Sequence, residues 1–232
     1  FNTTQFIRAA GSLNYSAQQA MSLAEELYTA GSLTYPRTDN TVYPEDPDPR
    51  ELLAPFVGDS TFGDDAEHLL AADEIDPTEG DEETTDHPPI HPTGELPSRN
   101  DLSEDEWEIY ELVVRRFFAT VADDATWEHL KVVAEIADAE VAANGESTTE
   151  DLTLKANGKR LVEAGYHAVY PYFSQSETHV PDVTVGDELA ITDTAIEAKQ
   201  TQPPRRYGQS RLIETMEGLG IGTKSTRHHT IE

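Results

Sequence analysis

The sequence predicts an α+β chain, mainly helical over residues 1–123, mainly strand over 124–202 and helical again over 203–232. Three observations carry this reading. Apolar residues recur at three and four residue spacing behind good capping residues in the first half. The pattern turns to short β-type runs broken by Gly, Asn and Pro after Asp124. At the end, glycines, hydroxyls and cations surround a short helical pattern.

Taken in order, Thr3 or Thr4 is placed to cap a short helix ending near Gly11. In SAQQAMSLAEELYTAG, Ser16 is the N-cap, Ala20, Leu23, Ala24 and Leu27 form an apolar stripe, and Gly31 ends the helix. Ser32 to Tyr35 follows as a short extended segment, and Pro36 biases Tyr35 away from the helical region. Tyr35 therefore stands at the end of an element, where a side chain is held without having to be buried.

PEDPDPRELLAPFVG reads as turns and then a short helix from about Pro49. Residues 71–86 have few apolar anchors and a high negative charge, the pattern of a mobile loop. HPPIHPTG is too rich in proline for a regular element and reads as a rigid extended passage. The firmest helix runs from Ser103 to Asp123: Ser103 and Glu106 form a capping box, and Trp107, Tyr110, Leu112, Val113, Phe117 and Phe118 supply a broad apolar face. Beyond it, WEHLKVVAEIADAEVAAN, DLTLKANG, HAVYPYF and DELAITDTAIEAKQ read as strands. A helix from about Gln209 to Gly218 and a second starting near Ser225 or Thr226 close the chain.

Composition bounds the function. Cysteine is absent, which excludes disulfides and thiolate metal sites. No apolar run reaches the 18 or so residues of a bilayer span, and no secretory signal opens the chain, so the expectation is a soluble protein with no membrane partner. The first residue is Phe, which raises the expectation of a fragment or a processed chain.

Against 16 basic residues stand 45 acidic ones, a formal net charge of -29. Such a field repels nucleic acid at low salt. In multimolar salt the screening length falls to a few ångströms or less, and only contact-range charge still acts. Frequent threonine and scarce lysine favour adaptation to high salt over an acidic binding surface in ordinary salt. The distribution matters too: Glu45 to Glu111 holds 23 acidic residues and only Arg50 and Arg99, whereas Lys199 to Glu232 holds six basic residues against three acidic. Positive charge kept at the tail is a local argument for contact with a polyanion.

Three stretches hold candidate chemistry. In SLTYPRTDN, Tyr35 is a weak nucleophile at its ordinary pKa, yet it can attack phosphorus once the phosphoryl oxygens are neutralised. Arg37 shares a face with it at i+2 of an extended segment and is suited to grip a phosphate. From spacing alone, a surface tyrosine and arginine near a turn fit as well. His87, stiffened by Pro88 and Pro89, is placed to contact a phosphate or assist proton transfer, or simply to satisfy loop carbonyls; His91 shares the segment, and a metal site lacks a third ligand nearby. In GIGTKSTR, Lys224, Ser225, Thr226 and Arg227 surround a helix start, where backbone N–H groups suit phosphate, and Arg205, Arg206 and Arg211 extend the path upstream.

Together, SLTYPRTDN, DHPPIHPTG and PPRRYGQSRLIETMEGLGIGTKSTR, in this order and at these separations, resemble the central part of type IA DNA topoisomerases, in a form like the archaeal branch. The resemblance covers essentially the whole chain. It implies a helical tyrosine-bearing domain over 1–123, part of a β arch domain over 124–202, and the start of a helical single-strand-groove domain over 203–232 of a toroidal enzyme. It also implies that Tyr35 is the nucleophile that becomes joined to a 5' phosphate, that Arg37 contacts the scissile phosphate, and that His87 belongs to the active-site neighbourhood. Arg211, Lys224, Ser225, Thr226 and Arg227 fall in the segment that lines the groove.

The implied activity is ATP-independent relaxation of negatively supercoiled DNA through a transient single-strand break, with single-stranded DNA as partner, by a monomeric cytoplasmic enzyme associated with the chromosome. Magnesium is implied for the parent enzyme, with its ligands in a toprim domain that nothing in this sequence matches; no cofactor is expected on these residues, and this piece alone is expected to be inactive. Lys224 and His91 stand where many bacterial relatives have proline and arginine. Two alternatives remain at this stage: a noncatalytic single-strand-binding or scaffold module, and the topoisomerase half of a reverse gyrase.

Overall fold

The computed structural model describes residues 1–143, 146–172, 176–179 and 181–231. Two compact units emerge: Phe1–Asp124 with Gly165–Ser174 and Pro204–Glu232, and Ala125–Ala164 with Gln175–Pro203.

The first unit is helical. Helix α1 (Thr3–Ser12) is capped by Asn2, whose side chain accepts from the Gln5 amide while the Gln5 side chain accepts from the Asn2 amide. The cap expected at Thr3 or Thr4 thus falls one residue earlier. Asn2 has the extended backbone a cap needs, and the Thr3 hydroxyl is already committed to the carbonyls of Pro36 and Thr38 at 2.8 and 3.0 Å. Helix α2 (Ala17–Thr29) has the Ser16 cap, buries Ala20, Met21, Ala24 and Leu27, and ends where Gly31 takes a φ of 83°, a value that favours glycine.

Helices α3 (Pro49–Leu53) and α4 (Gly63–Leu70) precede the long α5 (Glu104–Val121), whose Ser103–Glu106 capping box forms as expected. Helix α4 had no counterpart in the sequence reading. Around α5 the core closes with Phe6, Leu27, Phe56, Phe62 and Ile90, all at most 1% exposed. Phe56 meets Phe118 edge-on, with centroids 5.3 Å apart at 89°, a favourable aromatic geometry.

Helix α6 (Gln209–Gly218) packs on α1 and buries Ile213 and Met216. Glu217 accepts from the Thr4 hydroxyl at 2.9 Å, and Gln209 from the Ala17 amide at 3.1 Å. A four-residue helix, α7 (Arg227–Thr230), follows. Residues 71–86 form no regular element, yet they are pinned: Thr78 N–H donates to Thr120 at 2.6 Å, and Thr41 N–H to Glu82 at 2.8 Å.

Two expected strands do not form among the described residues. HAVYPYF instead begins in a 3-10 turn, Gly165–Ala168, because Gly165 turns the chain at a φ of 48°, the Tyr166 amide donates to Asp123, and Val169 and Tyr170 bury themselves in the helical core. DELAITDTAIEAKQ has alternating residues but no paired edge, and Leu189 and Ile191 stay exposed.

The second unit is built on one antiparallel ribbon of β1 (Thr126–Ala143) and β2 (Glu146–Glu163). Trp127 pairs with Leu161, Val132 with Ala156 and Ile136 with Leu152, with a register shift between Ile136 and Ala139. At the usual strand rise, 18 residues reach roughly 60 Å. Apart from a bridge of Lys159 to Thr178, neither outer edge is paired among the described residues. No described helix is long and apolar enough to cross a membrane.

Candidate active site

Two extended segments, 32–40 and 87–93, carry the site. They are stitched side by side: Leu33 bridges Pro92, Thr34 N–H donates to His91 at 3.0 Å, and Thr93 N–H donates to Ser32 at 3.2 Å. Threonine and asparagine side chains add cross-links that the prolines cannot make from their own backbone. The Thr34 hydroxyl donates to Pro89 at 2.8 Å, and the Asn40 amide to His87 at 3.1 Å. This brings residues 52 positions apart together, with the Tyr35 and His87 rings 4.5 Å apart between centroids.

Tyr35 is half-buried, and the ring of Tyr28, from the last turn of α2, meets it edge-on at 5.2 Å. His87 is exposed. His91 is not: it is 3% exposed, packs on Tyr43 and Phe117, and bonds through Nδ1 to the Pro92 carbonyl at 2.8 Å. Burial lowers its pKa to about 4. The two histidines therefore divide, one facing solvent beside Tyr35 and one serving the core. A cavity of about 570 Å³ lies next to them, lined among others by Asn40, Tyr43, Asp86, His87 and His91.

Arg37 is held on three sides. Glu25, from α2, accepts from Nε at 2.8 Å and also from Nη2; Nη1 donates to the Ser225 carbonyl at 3.0 Å and lies 3.4 Å from His228 Nε2. His228 is 2% exposed, its Nδ1 has no hydrogen-bond partner, and burial, then His229 and Arg37, lower its pKa. The tail thus reaches the guanidinium directly.

Lys224 Nζ sits 2.6 Å from Asp86 and 3.7 Å from Asp39, and its hydrogen bond holds the Asp86 carboxyl well below the usual carboxylate range. Thr226 and Arg227 lie at the start of α7, but their amides already donate to the Thr223 carbonyl, so they are not open to a phosphate as a fresh helix start would be. Arg227 is paired with Glu217 at 3.2 Å. Arg211 makes none of these contacts; its guanidinium lies 5.4 Å from the Tyr207 ring.

The structure therefore gathers Tyr35, Arg37, His87, Lys224 and Ser225, and leaves Arg211 apart. Glu25, His228, Asp39 and Asp86 were missed by sequence reasoning. Of these, only Asp86 had a local signal, its place immediately before His87. No three His, Asp or Glu converge as a metal site among the described residues.

The DNA topoisomerase family matches residues 1–232, and the chain belongs to this family. It is 46% identical over 232 residues to DNA topoisomerase 1 of Archaeoglobus fulgidus, covering 100% of this chain and 32% of that protein. It is 37% identical over 231 residues to DNA topoisomerase 1 of Thermoplasma acidophilum, covering 100% of this chain and 28% of that one. Full-length topoisomerase I from Thermotoga maritima shares the fold, with a TM-score of 0.67 at 23% identity over 100% of this chain and 36% of that structure. The chain spans about a third of the length of these relatives. The type IA relationship expected from its motifs is met.

Proposed function

We propose that this chain is the strand-cleaving, tyrosine-bearing part of a type IA DNA topoisomerase that relaxes negatively supercoiled DNA without ATP. The observation that carries the reading is the stitched pair of segments that sets Tyr35 beside His87, with Arg37 two residues on and fixed by Glu25. In the proposed step the Tyr35 oxygen attacks phosphorus of a single-stranded phosphodiester. The new bond is Oη–P, the bond to the 3' oxygen breaks, and the proton lost by the phenol balances the one gained by the departing 3' hydroxyl. Arg37 neutralises the phosphoryl oxygens as charge builds on them, and His87 is the nearest ring to hold or pass the proton. Attack by the 3' hydroxyl on the phosphotyrosine reverses the step, which conserves the bond energy.

The described residues do not fit a magnesium site, so no step here runs through the metal. Ligands for magnesium belong, on this reading, to parts of the polypeptide outside these residues. The domain assignment follows the same reading, with 1–123 as the tyrosine domain, 124–202 as part of an arch and 203–232 as the start of the single-strand groove, in a monomeric cytoplasmic enzyme working at the chromosome. The charge of -29 supports the reading of a high-salt, archaeal habitat. A purified protein that folds fully in dilute buffer and gains no stability in concentrated KCl would remove the habitat.

The test of the function is an adduct. The full-length polypeptide containing this chain, incubated with magnesium and end-labelled single-stranded DNA and then denatured, is expected to carry DNA on Tyr35 through a 5' phosphate. Single-strand binding with no adduct would leave a binding module in its place.

A further inference from the structure

Among the cations assigned to a nucleic-acid path, three already hold a carboxylate: Arg37 holds Glu25, Lys224 holds Asp86 and Asp39, and Arg227 holds Glu217. They do so differently. Arg37 gives Glu25 two of the five N–H groups of a guanidinium and keeps others, so Glu25 is a buttress. An ammonium is a point charge with three donors and no fixed fork, and Lys224 faces two carboxylates at once.

The origin of those two carboxylates is informative. Asp39 lies four residues after Tyr35, and Asp86 immediately precedes His87. Lys224 comes from the tail and is the covered partner, with its side chain 21% exposed against 44% for Asp39 and 46% for Asp86. Two solvent-facing carboxylates thus converge on a shielded cation, and one of them adjoins His87, whose ring packs on Tyr35.

We infer that Asp86, together with Asp39, occupies in the free protein the place of a strand phosphate on Lys224, so that single-stranded DNA binds here by exchanging carboxylate for phosphate. The inference rests on the strand-cleaving function proposed above and concerns the same site. Its consequence is a salt response. When an unpaired cation takes up a phosphate, the nucleic acid sheds counterions, and log K falls by about 0.7 per phosphate for each unit of log salt on single strands. In the exchange, the displaced carboxylates return to solvent and gather a cation as the phosphate loses one. Release and uptake nearly cancel, and the contact becomes almost indifferent to salt at the expense of affinity in dilute buffer. A binding site with a charge of -29 around it, working where repulsion is screened, gains from such a contact.

Binding of a labelled oligothymidylate, measured by anisotropy across a KCl series with the full-length polypeptide, tests this. Relative to the unchanged protein, the Asp39→Asn, Asp86→Asn double variant is expected to bind more tightly at the low-salt end. Its plot of log K against log salt should be steeper by about 0.7. Placing the same pair on a Lys224→Gln background should abolish that difference in slope.

The Asp64→Asn, Glu67→Gln double variant, two exposed changes on α4 that remove the same two charges and none of these contacts, is the control for the overall field. Parallel lines for the Asp39→Asn, Asp86→Asn variant and the control would overturn the exchange while leaving DNA binding intact. Absence of binding by every protein at every salt would overturn the DNA reading itself, and the exchange with it.

Discussion

One oxygen of Glu25, Oε1, accepts from both Nε and Nη2 of Arg37. The pair links α2 to the Tyr35 segment and fixes the plane of the guanidinium, whose side chain is 17% exposed. Hydrogen bonds to charged groups are worth about 1.5–3 kcal/mol, so Glu25→Ala is expected to slow adduct formation at Tyr35 by about 10 to 150-fold. Noncovalent strand binding should change little, and the substitution should add nothing on an Arg37→Ala background. Single-turnover adduct formation beside anisotropy checks this; equal losses in binding and cleavage would show that Glu25 does not act through Arg37's position.

Tyr35→Phe keeps the ring that contacts Tyr28 and His87 and removes only the oxygen. No adduct should form, while oligonucleotide binding persists. An adduct trapped on the Phe variant would place the nucleophile elsewhere.

What the sequence made legible was what depends on near neighbours. The Ser103–Glu106 box, the stripe of α2 and the extended backbone before Pro36 are settled within a few residues, and each appears in the structure. The partners of the site are not settled so. Glu25 lies 12 residues from Arg37, Asp86 lies 138 from Lys224, and His228 lies 191 from Arg37, and only the packing of α2, α6 and α7 brings them in. Of the four expected strands, those from Trp127 and from Asp151 fall in β1 and β2, and the other two failed. Alternation at 187–200 states a preference, but a strand needs a partner edge, which a local pattern cannot supply. HAVYPYF failed because core burial of Val169 and Tyr170 outweighed extended propensity.

The aromatic contact of Phe118 with Phe56 and Phe62 gives a stability test of the helical unit. Phe118 is fully buried, so Phe118→Ala should destabilise by about 3–5 kcal/mol. Loss of the α5 cap through Ser103→Ala should remove about 1 kcal/mol. Denaturant unfolding followed by near-UV circular dichroism distinguishes the two magnitudes.

His91 contributes a pH dependence whose sign follows from its burial. Its folded pKa of about 4 lies below the ordinary 6.5, so the unfolded chain binds the proton more readily. The stability due to the neutral ring is fully present above pH 6.5 and is lost as pH falls through 4. A difference of this size corresponds to a few kcal/mol, on the order of 3. Unfolding curves between pH 7 and 4 should therefore fall more steeply for the native protein than for His91→Leu; parallel curves would show that His91 titrates normally.

The cross-linking of segments 32–40 and 87–93 has a kinetic consequence. Tyr35 and His87 are joined through backbone ladders and buried hydroxyls, whereas the tail meets them through the side chains of Arg37 and Lys224. Local opening follows the weakest attachments. The amides of Thr34 and Thr93 should then exchange with deuterium far more slowly than those of residues 223–227. The tail should then lift and reseat many times within one lifetime of the Tyr35–His87 pairing, so the proposed reacting pair would keep its spacing while the proposed strand-contacting surface opens and closes.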